Sequence, residues 1–420
     1  MSEWRQRRLT EIAHTFAGGT PDRSRAEFFG GEIPWIKSTE LNAATVRSTE
    51  EKITELGFRM SAAKWTPPGS TVVAMYGATA GQVAFLGIPA TANQAVLSVV
   101  PHEGVSPRFL YYALAHSKSR LVFLAQGSGQ PNLSKQIVDR LELSVPGLQQ
   151  QRRIAEILST VDDAIEQTER LIAKTQNLKA GLMHDLFTRG VLPDGRLRPP
   201  RQEAPELYQE SVLGWIPVGW GVKPIGQVFD VQLGKMLSKK SKTGKMSAPY
   251  VGNRAVQWDR VDVAALEEMD FSDSERKKYL LAPKDLLVCE GGEVGRTAMW
   301  RGEMEECYFQ KAIHRLRPKD ARVIPEYMLR FMRFGDTAGI FRMFTSQSSI
   351  AHLTREKLCA VQMPLPSEPE QRQIAGIFDA VDEDLFGQGA TRNFLGGVKR
   401  GLMHDLLTGR CLGRKRDVYL

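Results

Sequence analysis

The chain has 420 residues, 42% of them hydrophobic and 25% charged, an ordinary composition for a globular protein but too great a length for one core of the usual size. Its formal net charge of +8 and pI near 9.2 favour nucleic acid or another anionic surface as a partner. No apolar run approaches the ~20 residues of a membrane span, and the charged amino terminus predicts no secretory signal. The four cysteines lack metal-ligand spacing, which predicts free thiols and a cytoplasmic location.

Residues 1–146 are predicted to form a first domain of mixed strands and short helices. The apolar run Thr71–Met75 indicates a buried strand, which closes on the glycine-containing segment Gly77–Gly81. Two glycines at this spacing could form a nucleotide loop, but the spacing recurs at Gly291–Gly295 without a following basic helix. We therefore interpret both segments as tight turns.

Residues 147–190 are predicted to form a long spacer helix. Its start is marked by Pro146 and Gly147, and its end by Gly190 and Pro193. From Gln149 to about Thr188, charged residues alternate with an apolar stripe at helical spacing, made of Ile154, Leu158, Val161, Ile165, Ile172, Leu182 and Leu186.

The second half of the chain repeats this order. Residues 191–207, rich in proline, arginine and glycine, are predicted to be a linker. Residues 208–366 are predicted to form a second mixed domain, residues 367–410 a second spacer helix from Pro369 to about Thr408, and residues 411–420 a basic tail. A glycine in a helix interior costs up to ~1 kcal/mol. We therefore expect the second helix to be the weaker one and open to interruption at Gly387, Gly389, Gly396 and Gly397.

Two blocks of sequence recur with one constant offset. Gln-Arg-Arg-Ile-Ala at residues 151–155 returns as Gln-Arg-Gln-Ile-Ala at 371–375, and Gly-Leu-Met-His-Asp-Leu at 181–186 returns unchanged at 401–406. Both pairs are 220 residues apart, which indicates a duplicated unit. The predicted fold is α+β, with two tandem mixed α/β domains separated by two long helices. These helices bury their stripes against each other as an antiparallel coiled coil with pseudo-two-fold symmetry.

No catalytic constellation is present in the sequence. Neither a Gly-x4-Gly-Lys-Ser/Thr phosphate loop nor a His-Glu-x-x-His metal motif occurs. We therefore predict neither catalytic nor metal-binding residues. A duplicated, basic chain of this kind is most simply a reader of another molecule or a scaffold.

Three motifs carry a family resemblance. Each spacer helix is entered through Pro-x4-Gln-x2-Ile-Ala, at residues 146–155 and 366–375, and each ends with Gly-Leu-Met-His-Asp-Leu-x-Thr. The second domain opens with Ser211, followed by Gly-Trp-Ile-Pro at residues 214–217 and by Trp220. In their order and duplication these motifs resemble the specificity subunits of type I restriction-modification systems, over essentially the whole chain.

The resemblance implies a subunit that is not an enzyme on its own. Its two target recognition domains would each read one half of a bipartite DNA sequence, while the helices space them and dock two modification subunits. S-adenosylmethionine would then be used by the modification subunits for adenine-N6 methylation, and ATP and Mg²⁺ by the restriction subunits for translocation and cleavage.

Base reading needs amides and guanidinium groups aimed into the major groove, and phosphate contacts need cations and hydroxyls. We expect DNA contacts in the first domain from Lys37, Ser38, Thr39, Asn42, Asn93, Gln94, Ser128, Gln130, Asn132 and Lys135. In the second domain we expect them from Asn253, Arg254, Gln257, Gln310, Lys311, Ser346, Gln347 and Arg355, with Lys239 and Lys240 placed for phosphates. For each residue the alternative is a solvated loop position.

The duplicated residues of the helices are candidates for docking the modification subunits. They are Gln151, Arg152, His184 and Asp185, with their counterparts Gln371, Arg372, His404 and Asp405. Helix capping and packing are the alternative. A helix of about 35 residues spans roughly 50 Å, and one turn of DNA is about 34–36 Å. We therefore expect the helix length to set the gap between the half-sites.

Two other classes of protein remain as alternatives. A coiled-coil scaffold would have the helices without DNA contact. A fused methyltransferase-nuclease would use similar recognition domains, but it should carry an Asn/Asp-Pro-Pro-Tyr/Phe site, and none occurs in the sequence.

Overall fold

The chain forms two units, each built from parts of both halves of the sequence. The computed structural model describes residues 4–125, 132–238, 244–344 and 352–409. Unit 1 consists of residues 1–170 and 389–420, and unit 2 of residues 171–388. Each unit therefore contains one mixed domain, the first part of the helix that follows it, and the last part of the other long helix.

The mixed domain of unit 1 alternates short strands with short helices. Its strands are β1 Arg5–Arg8, β2 Ala13–Ala17, β3 Phe29–Ile36, β4 Thr45–Val46, β5 Glu51–Ile53, β6 Thr71–Ala74, β7 Val83–Leu86, β8 Thr91–Ala92, β9 Val96–Pro101 and β10 Glu142–Val145. Its helices are α1 Leu9–Ile12, α2 Glu55–Arg59, α3 Pro107–His116, α4 Lys118–Leu124 and α5 Lys135–Asp139, and the long helix α6 spans Leu148–Thr188.

The mixed domain of unit 2 follows the same plan. Its strands are β11 Tyr208–Ser211, β12 Gly214–Pro217, β13 Gly221–Pro224, β14 Phe229–Leu233, β15 Ser247–Val251, β16 Val256–Gln257, β17 Arg260–Val261, β18 Glu267–Asp270, β19 Leu286–Cys289, β20 Thr297–Met299, β21 Tyr308–Phe309, β22 Ile313–Pro318 and β23 Gln362–Leu365. Its helices are α7 Ile225–Val228, α8 Asp273–Tyr279, α9 Pro325–Thr337 and α10 Arg355–Ala360, and the long helix α11 spans Glu368–Leu407.

The sheets show that the duplication extends beyond the helices. Unit 1 contains a five-stranded sheet in the order β2-β9-β6-β7-β4, and unit 2 a four-stranded sheet in the equivalent order β14-β22-β19-β20. Each unit adds a three-stranded sheet with one parallel pair, β5-β3-β8 in unit 1 and β18-β15-β21 in unit 2. The segment from Gly77 forms a short 3₁₀ turn between β6 and β7 with positive φ at Gly77 and Gly81, so its interpretation as a tight turn is confirmed.

The core of each unit includes the start of one long helix and the end of the other. In unit 1, Ile154 and Leu158 from the start of α6 are buried with Phe109 and Leu407. In unit 2, the equivalent Ile374 and Phe378 of α11 are buried with residues from the end of α6, including Leu186 and Phe187. Apolar burial of this kind is the main favourable term in folding. The letter-for-letter repetition of Gly-Leu-Met-His-Asp-Leu thus coincides with packing against a core.

Inside each unit the two long helices are joined by a cross-helix ion pair. In unit 1, Lys399 of α11 lies 2.6 Å from Asp162 of α6. In unit 2, the residues 220 positions away form the matching pair, Lys179 with Asp382. Nearby in unit 2, Gln388 donates to the Thr175 hydroxyl over 3.3 Å, so the helices run antiparallel there.

The second long helix is continuous, which corrects the expected interruption. Residues 368–407 form one α-helix through Gly387, Gly389, Gly396 and Gly397. A glycine keeps its backbone amide and can continue the i to i−4 ladder, so packing at the helix ends can outweigh its entropic cost. No helix among the described residues is long and apolar enough to cross a membrane.

Candidate nucleic-acid interface

Four loops of unit 1 meet at one edge of its sheets, and we call residues 37–42, 75–81, 93–95 and 132–135 the first loop cluster. Parallel strands end at the same edge, and β3 pairs in parallel with β8, so the loops after Ile36 and Ala92 leave side by side. Asn93 N donates to Ile36 O over 2.9 Å, and Met75 N donates to Ala95 O over 2.8 Å. Leu133 N donates to Met75 O over 2.8 Å and attaches the fourth loop.

Unit 2 repeats this cluster with the same backbone hydrogen bonds, and we call residues 252–257, 290–295, 310–312 and 352–355 the second loop cluster. Gln310 N donates to Val251 O over 3.1 Å, after the parallel pair β15 and β21. The other two bonds run from Glu290 N to Ala312 O over 2.9 Å and from Leu353 N to Glu290 O over 2.8 Å. The described residues that were expected to contact DNA lie on these two clusters.

The amides and hydroxyls of the first cluster are partly engaged within the unit. Asn93 accepts from Ala95 N over 3.1 Å, and Gln94 accepts from the Thr20 hydroxyl. Ser38 is half-buried, whereas Thr39, Asn42 and Asn132 are exposed. Thr39, Asn42 and Asn132 are therefore neutral side chains of the first cluster that solvent, or a ligand, can reach.

The two lysines of the first cluster are already paired with acids. Lys37 Nζ lies 2.8 Å from Glu50 and 3.1 Å from Glu51, and these hydrogen bonds raise the pKa of Lys37 above its usual value. Lys135 pairs with Asp139, one helical turn away at 2.5 Å. Neither lysine is therefore an uncommitted cation for phosphate.

In the second cluster, some polar side chains are hydrogen-bonded within the unit and others are exposed to solvent. Asn253 uses its whole amide inside the unit, donating to Gly291 O over 2.8 Å and accepting from Arg296 over 2.8 Å. Gln257 donates to Arg254 O over 2.8 Å. Arg254 itself is exposed.

The remaining residues of this cluster show the same division. Arg355 donates from Nε to Val231 O over 2.7 Å, and Gln310 is half-buried beside Gly252. Lys311 is exposed. Within the described ranges, Arg254 and Lys311 have no hydrogen-bond or ion-pair partner for their side chains.

Six of the expected contacts lie outside the described residues, namely Ser128, Gln130, Lys239, Lys240, Ser346 and Gln347. Two residues, one in the first cluster and one directly after a loop of the second, were not foreseen. Tyr76 leaves 43% of its side chain exposed beside the turn at Gly77, and Arg296 holds Asn253. The position of Tyr76, directly before a tight turn that follows a buried strand, was a signal that could have identified it.

The docking candidates Gln151 and Gln371 are buried, which corrects their expected role. Gln151 accepts from Ser106 N over 2.8 Å and donates to Pro146 O over 2.9 Å. Gln371 accepts from Ile324 N and donates to Pro366 O, both over 2.9 Å. Buried backbone groups need such partners, so each glutamine attaches the start of a long helix to its own domain.

The other docking candidates are at least partly accessible. Arg152 is exposed and lines an open groove of about 1260 Å³ that Asp405 also lines. Arg372 is exposed and pairs with Glu368 over 2.8 Å. Asp185 lies 3.3 Å from Arg189, His184 is 74% exposed, and the ring of His404 lies 6.1 Å from that of His116.

The two helix starts differ in what covers them. In unit 2 the carboxylate of Glu370, near the start of α11, accepts from Val191 N over 2.9 Å and is bound by Arg198 of the linker. It also accepts from Trp220 Nε1 over 3.0 Å. The start of α6 in unit 1 instead lines the open groove.

Comparisons with known proteins agree with this architecture. The model of the type I restriction modification DNA specificity domain matches residues 1–176 and 217–388. The type I restriction enzyme MjaIX specificity subunit of Methanocaldococcus jannaschii is 28% identical over 305 residues, covering 69% of this chain and 67% of that protein. The MjaVIII specificity subunit of the same organism is 22% identical over 421 residues, covering 97% and 93%. A crystal structure of a type I restriction-modification S subunit from M. genitalium shares the fold, with a TM-score of 0.58 at 16% identity over 97% of this chain and 96% of that chain.

Proposed function

Since the chain belongs to the family of specificity subunits of type I restriction-modification systems, we propose that it reads a two-part DNA target, with one half-site bound by the loop cluster of each unit. Specificity subunits are the non-catalytic parts of such complexes. The basic charge of the chain supports DNA as the partner.

One observation carries this proposal. The same four-loop cluster is built twice on the same sheet order and with the same three backbone hydrogen bonds, yet its exposed side chains differ between the units. Sequence is read by side chains that reach base edges, whereas the supporting backbone carries no sequence information. Two copies of one scaffold with different tips suit the reading of two different short sequences.

The long helices supply the second part of the proposal. We propose that α6 and α11 form an antiparallel coiled coil that spaces the two half-sites and docks two modification subunits, which restriction subunits then join. The ion pairs Asp162–Lys399 and Asp382–Lys179 support this, because matched pairs at a constant offset are typical of an isologous interface. Arg152, His184, Arg372 and His404 supply accessible side chains for docking.

The chemistry belongs to the partners in this proposal. S-adenosylmethionine would be bound by the modification subunits, and ATP and Mg²⁺ by the restriction subunits. We also propose a cytoplasmic location, which the buried free thiols of Cys289 and Cys307 support.

Mapping of methylated adenines tests the proposal directly. The full chain is produced with its modification subunit in a host without other adenine methylation, and the methylated sites are read by single-molecule sequencing. We expect one bipartite motif with a fixed gap. Methylation without a motif, or with a continuous one, would contradict two half-sites read by two units.

A binding measurement distinguishes the proposed DNA reader from a scaffold that does not contact DNA. The purified complex of the chain and its modification subunit should bind duplex DNA with an affinity that falls steeply as salt rises, because phosphate contacts release counterions. Binding that needs only the modification subunit would favour the scaffold. No observation on the described residues supports the fused methyltransferase-nuclease.

A further inference from the structure

Two turns in the loop clusters occupy equivalent positions and carry different side chains. In unit 1, residues 37–40 form a turn closed by a bond from Glu40 N to Lys37 O over 3.0 Å. In unit 2, residues 252–255 form the same turn, closed by a bond from Ala255 N to Gly252 O over 3.0 Å. The third residue of the turn is Thr39 in unit 1 and Arg254 in unit 2.

The neighbouring loop shows a second exchange of the same kind. Asn93 of unit 1 and Gln310 of unit 2 make the equivalent bond to the strand before the turn. The next residue is Gln94 in unit 1 and Lys311 in unit 2. Unit 2 therefore has two cations where unit 1 has a hydroxyl and an amide.

Several hydrogen bonds fix the turn that carries Arg254. Asn253, directly before it, is bound through its amide to Gly291 and Arg296. Ala255, directly after it, is fully buried, and its carbonyl accepts from Asp262 N over 2.7 Å. The Arg254 carbonyl accepts from Gln257. A long exposed side chain thus projects from a fixed turn, which reduces the ordering cost when it binds.

The two clusters also differ in whether their cations are paired with acids. Arg254 and Lys311 have no side-chain partner among the described residues, whereas Lys37 of the first cluster is neutralised by Glu50 and Glu51. With no acid partner among the described residues, the Arg254 guanidinium keeps its donors for a ligand, and its fork matches O6 and N7 of guanine in the major groove. A lysine is a point charge suited to phosphate.

We propose that Arg254 reads a guanine in the half-site bound by unit 2, while Lys311 binds a backbone phosphate beside it. At the equivalent positions, unit 1 reads its half-site with the neutral Thr39 and Gln94. The half-site of unit 2 then provides more of the salt-dependent affinity. This assignment rests on the proposed function and deepens it.

Methylation mapping tests the guanine assignment. The variants R254A and R254K are compared with wild type in the full complex, because R254K keeps the charge and length but loses the planar fork. Both should accept other base pairs at one guanine of one half-site, with discrimination reduced about 10- to 100-fold, while the other half-site stays unchanged. The matched control R301A removes an exposed arginine of unit 2 outside the second loop cluster and should keep the wild-type motif.

The outcomes distinguish the assignment from the proposed function. A bipartite wild-type motif that both Arg254 variants leave unchanged would overturn the assignment alone. Uniformly weaker methylation with no change of motif would also overturn it, because Arg254 would then bind phosphate. A wild-type chain without a bipartite motif would overturn the proposed function and the assignment together.

Salt dependence tests the charge difference between the units. Binding of the complex is measured by anisotropy on duplexes that keep one half-site and scramble the other. The slope of log affinity against log salt should be steeper for the half-site of unit 2, and K311A should reduce that slope by about 1. The control R301A, whose exposed arginine lies outside both loop clusters, should change neither slope. Equal slopes for the two duplexes, or an unchanged slope in K311A, would overturn the assignment of Lys311.

Discussion

At the scale of single residues, repetition in the sequence marks structure as well as contact with partners. Gln151 and Gln371 stand 220 residues apart and were expected to dock a partner. Both are instead nearly inaccessible, with 3% and 2% of their surface exposed. A side chain that carries both a donor and an acceptor is well suited to joining two backbone segments at a buried helix start. That requirement accounts for their repetition without a partner.

Replacing Gln151 by leucine should destabilise unit 1. The change leaves Ser106 N and Pro146 O buried without partners, and each such group costs about 1–3 kcal/mol. The free energy of unfolding, measured by chemical denaturation, should fall accordingly. The neighbouring exposed Arg152 offers the control, since Arg152→Leu should leave stability nearly unchanged. Equal stability of the two variants would instead favour docking as the role of Gln151.

We expect His314 to make the stability of unit 2 depend on pH. It is fully buried, and its Nε2 lies 2.9 Å from Leu353 O, so the ring donates there. Burial lowers the pKa of His314 from 6.5. The unfolded chain therefore binds this proton more readily than the folded chain, so stability is full above about pH 6.5 and falls as the pH drops below it.

The variant His314→Gln should lose this dependence and keep a donor toward Leu353. Between pH 7 and pH 5.5 the melting temperature of the wild type should fall more than that of the variant. His184→Gln, which removes a largely exposed imidazole, should follow the wild type. Parallel curves for the wild type and His314→Gln would show that burial of His314 does not control the acid response.

At the scale of elements, tertiary packing outweighs local helix propensity. The glycines of α11 predicted a weak helix, yet α11 is as continuous as α6 over about the same length. Both helices have their ends in the cores of the units, where apolar burial stabilises them. The loop clusters likewise depend on parallel strand pairs, which place their chain ends at a common edge.

Filling the glycines of α11 should therefore stabilise the protein. A methyl group at Gly387 or Gly389 would meet nothing within 4 Å. Each change to alanine should raise the free energy of unfolding by about 0.5–1 kcal/mol, because it lowers the entropy of the unfolded chain. Chemical denaturation measures the change. Gly226→Ala is the opposite control, since its new carbon would lie 2.8 Å from Cys359 Cβ and should destabilise. A neutral or negative effect at both α11 positions would contradict this account.

At the scale of the whole molecule, the two units share their sheet order and helix pairing but differ in the side chains of their loop clusters and in the contacts at their helix starts. Sheet order and cross-helix ion pairs repeat, whereas the tips of the loop clusters and the cover of the helix starts do not. A protein that reads two different half-sites can use one backbone scaffold twice, provided that the side chains at the ends of its loops differ between the two copies. In the proposed function, modification subunits would therefore meet different residues at the two helix starts: Arg152 beside an open groove in unit 1, and Glu370 bound by Arg198 of the linker in unit 2.

Shortening both long helices should shorten the gap in the recognised DNA. Removing one heptad from α6 and one from α11, at positions 220 residues apart, keeps the ion-pair register and shortens each helix by ~10 Å. At 3.4 Å per base pair, the gap in the methylation motif should shrink by about 3 base pairs. The Gly387→Ala variant of full length should keep the wild-type gap. An unchanged gap in the shortened protein would refute the helices as a ruler.

The sequence by itself determined the duplication, the family, the two long helices and the loops on which the polar candidates lie, because these follow from periodicity, offset and local turn chemistry. Only the tertiary structure decided which of those side chains already have hydrogen-bond or ion-pair partners within their unit. Gln151 and Asn253 use their amides internally, and Lys37 is paired with acids, whereas Arg254 and Lys311 face solvent. The physical reason is that a side chain's availability depends on partners brought to it by distant parts of the chain. Lys37 meets Glu50 through a strand pairing, and Gln151 meets Ser106 through the packing of a helix start, and no local pattern of letters records either contact.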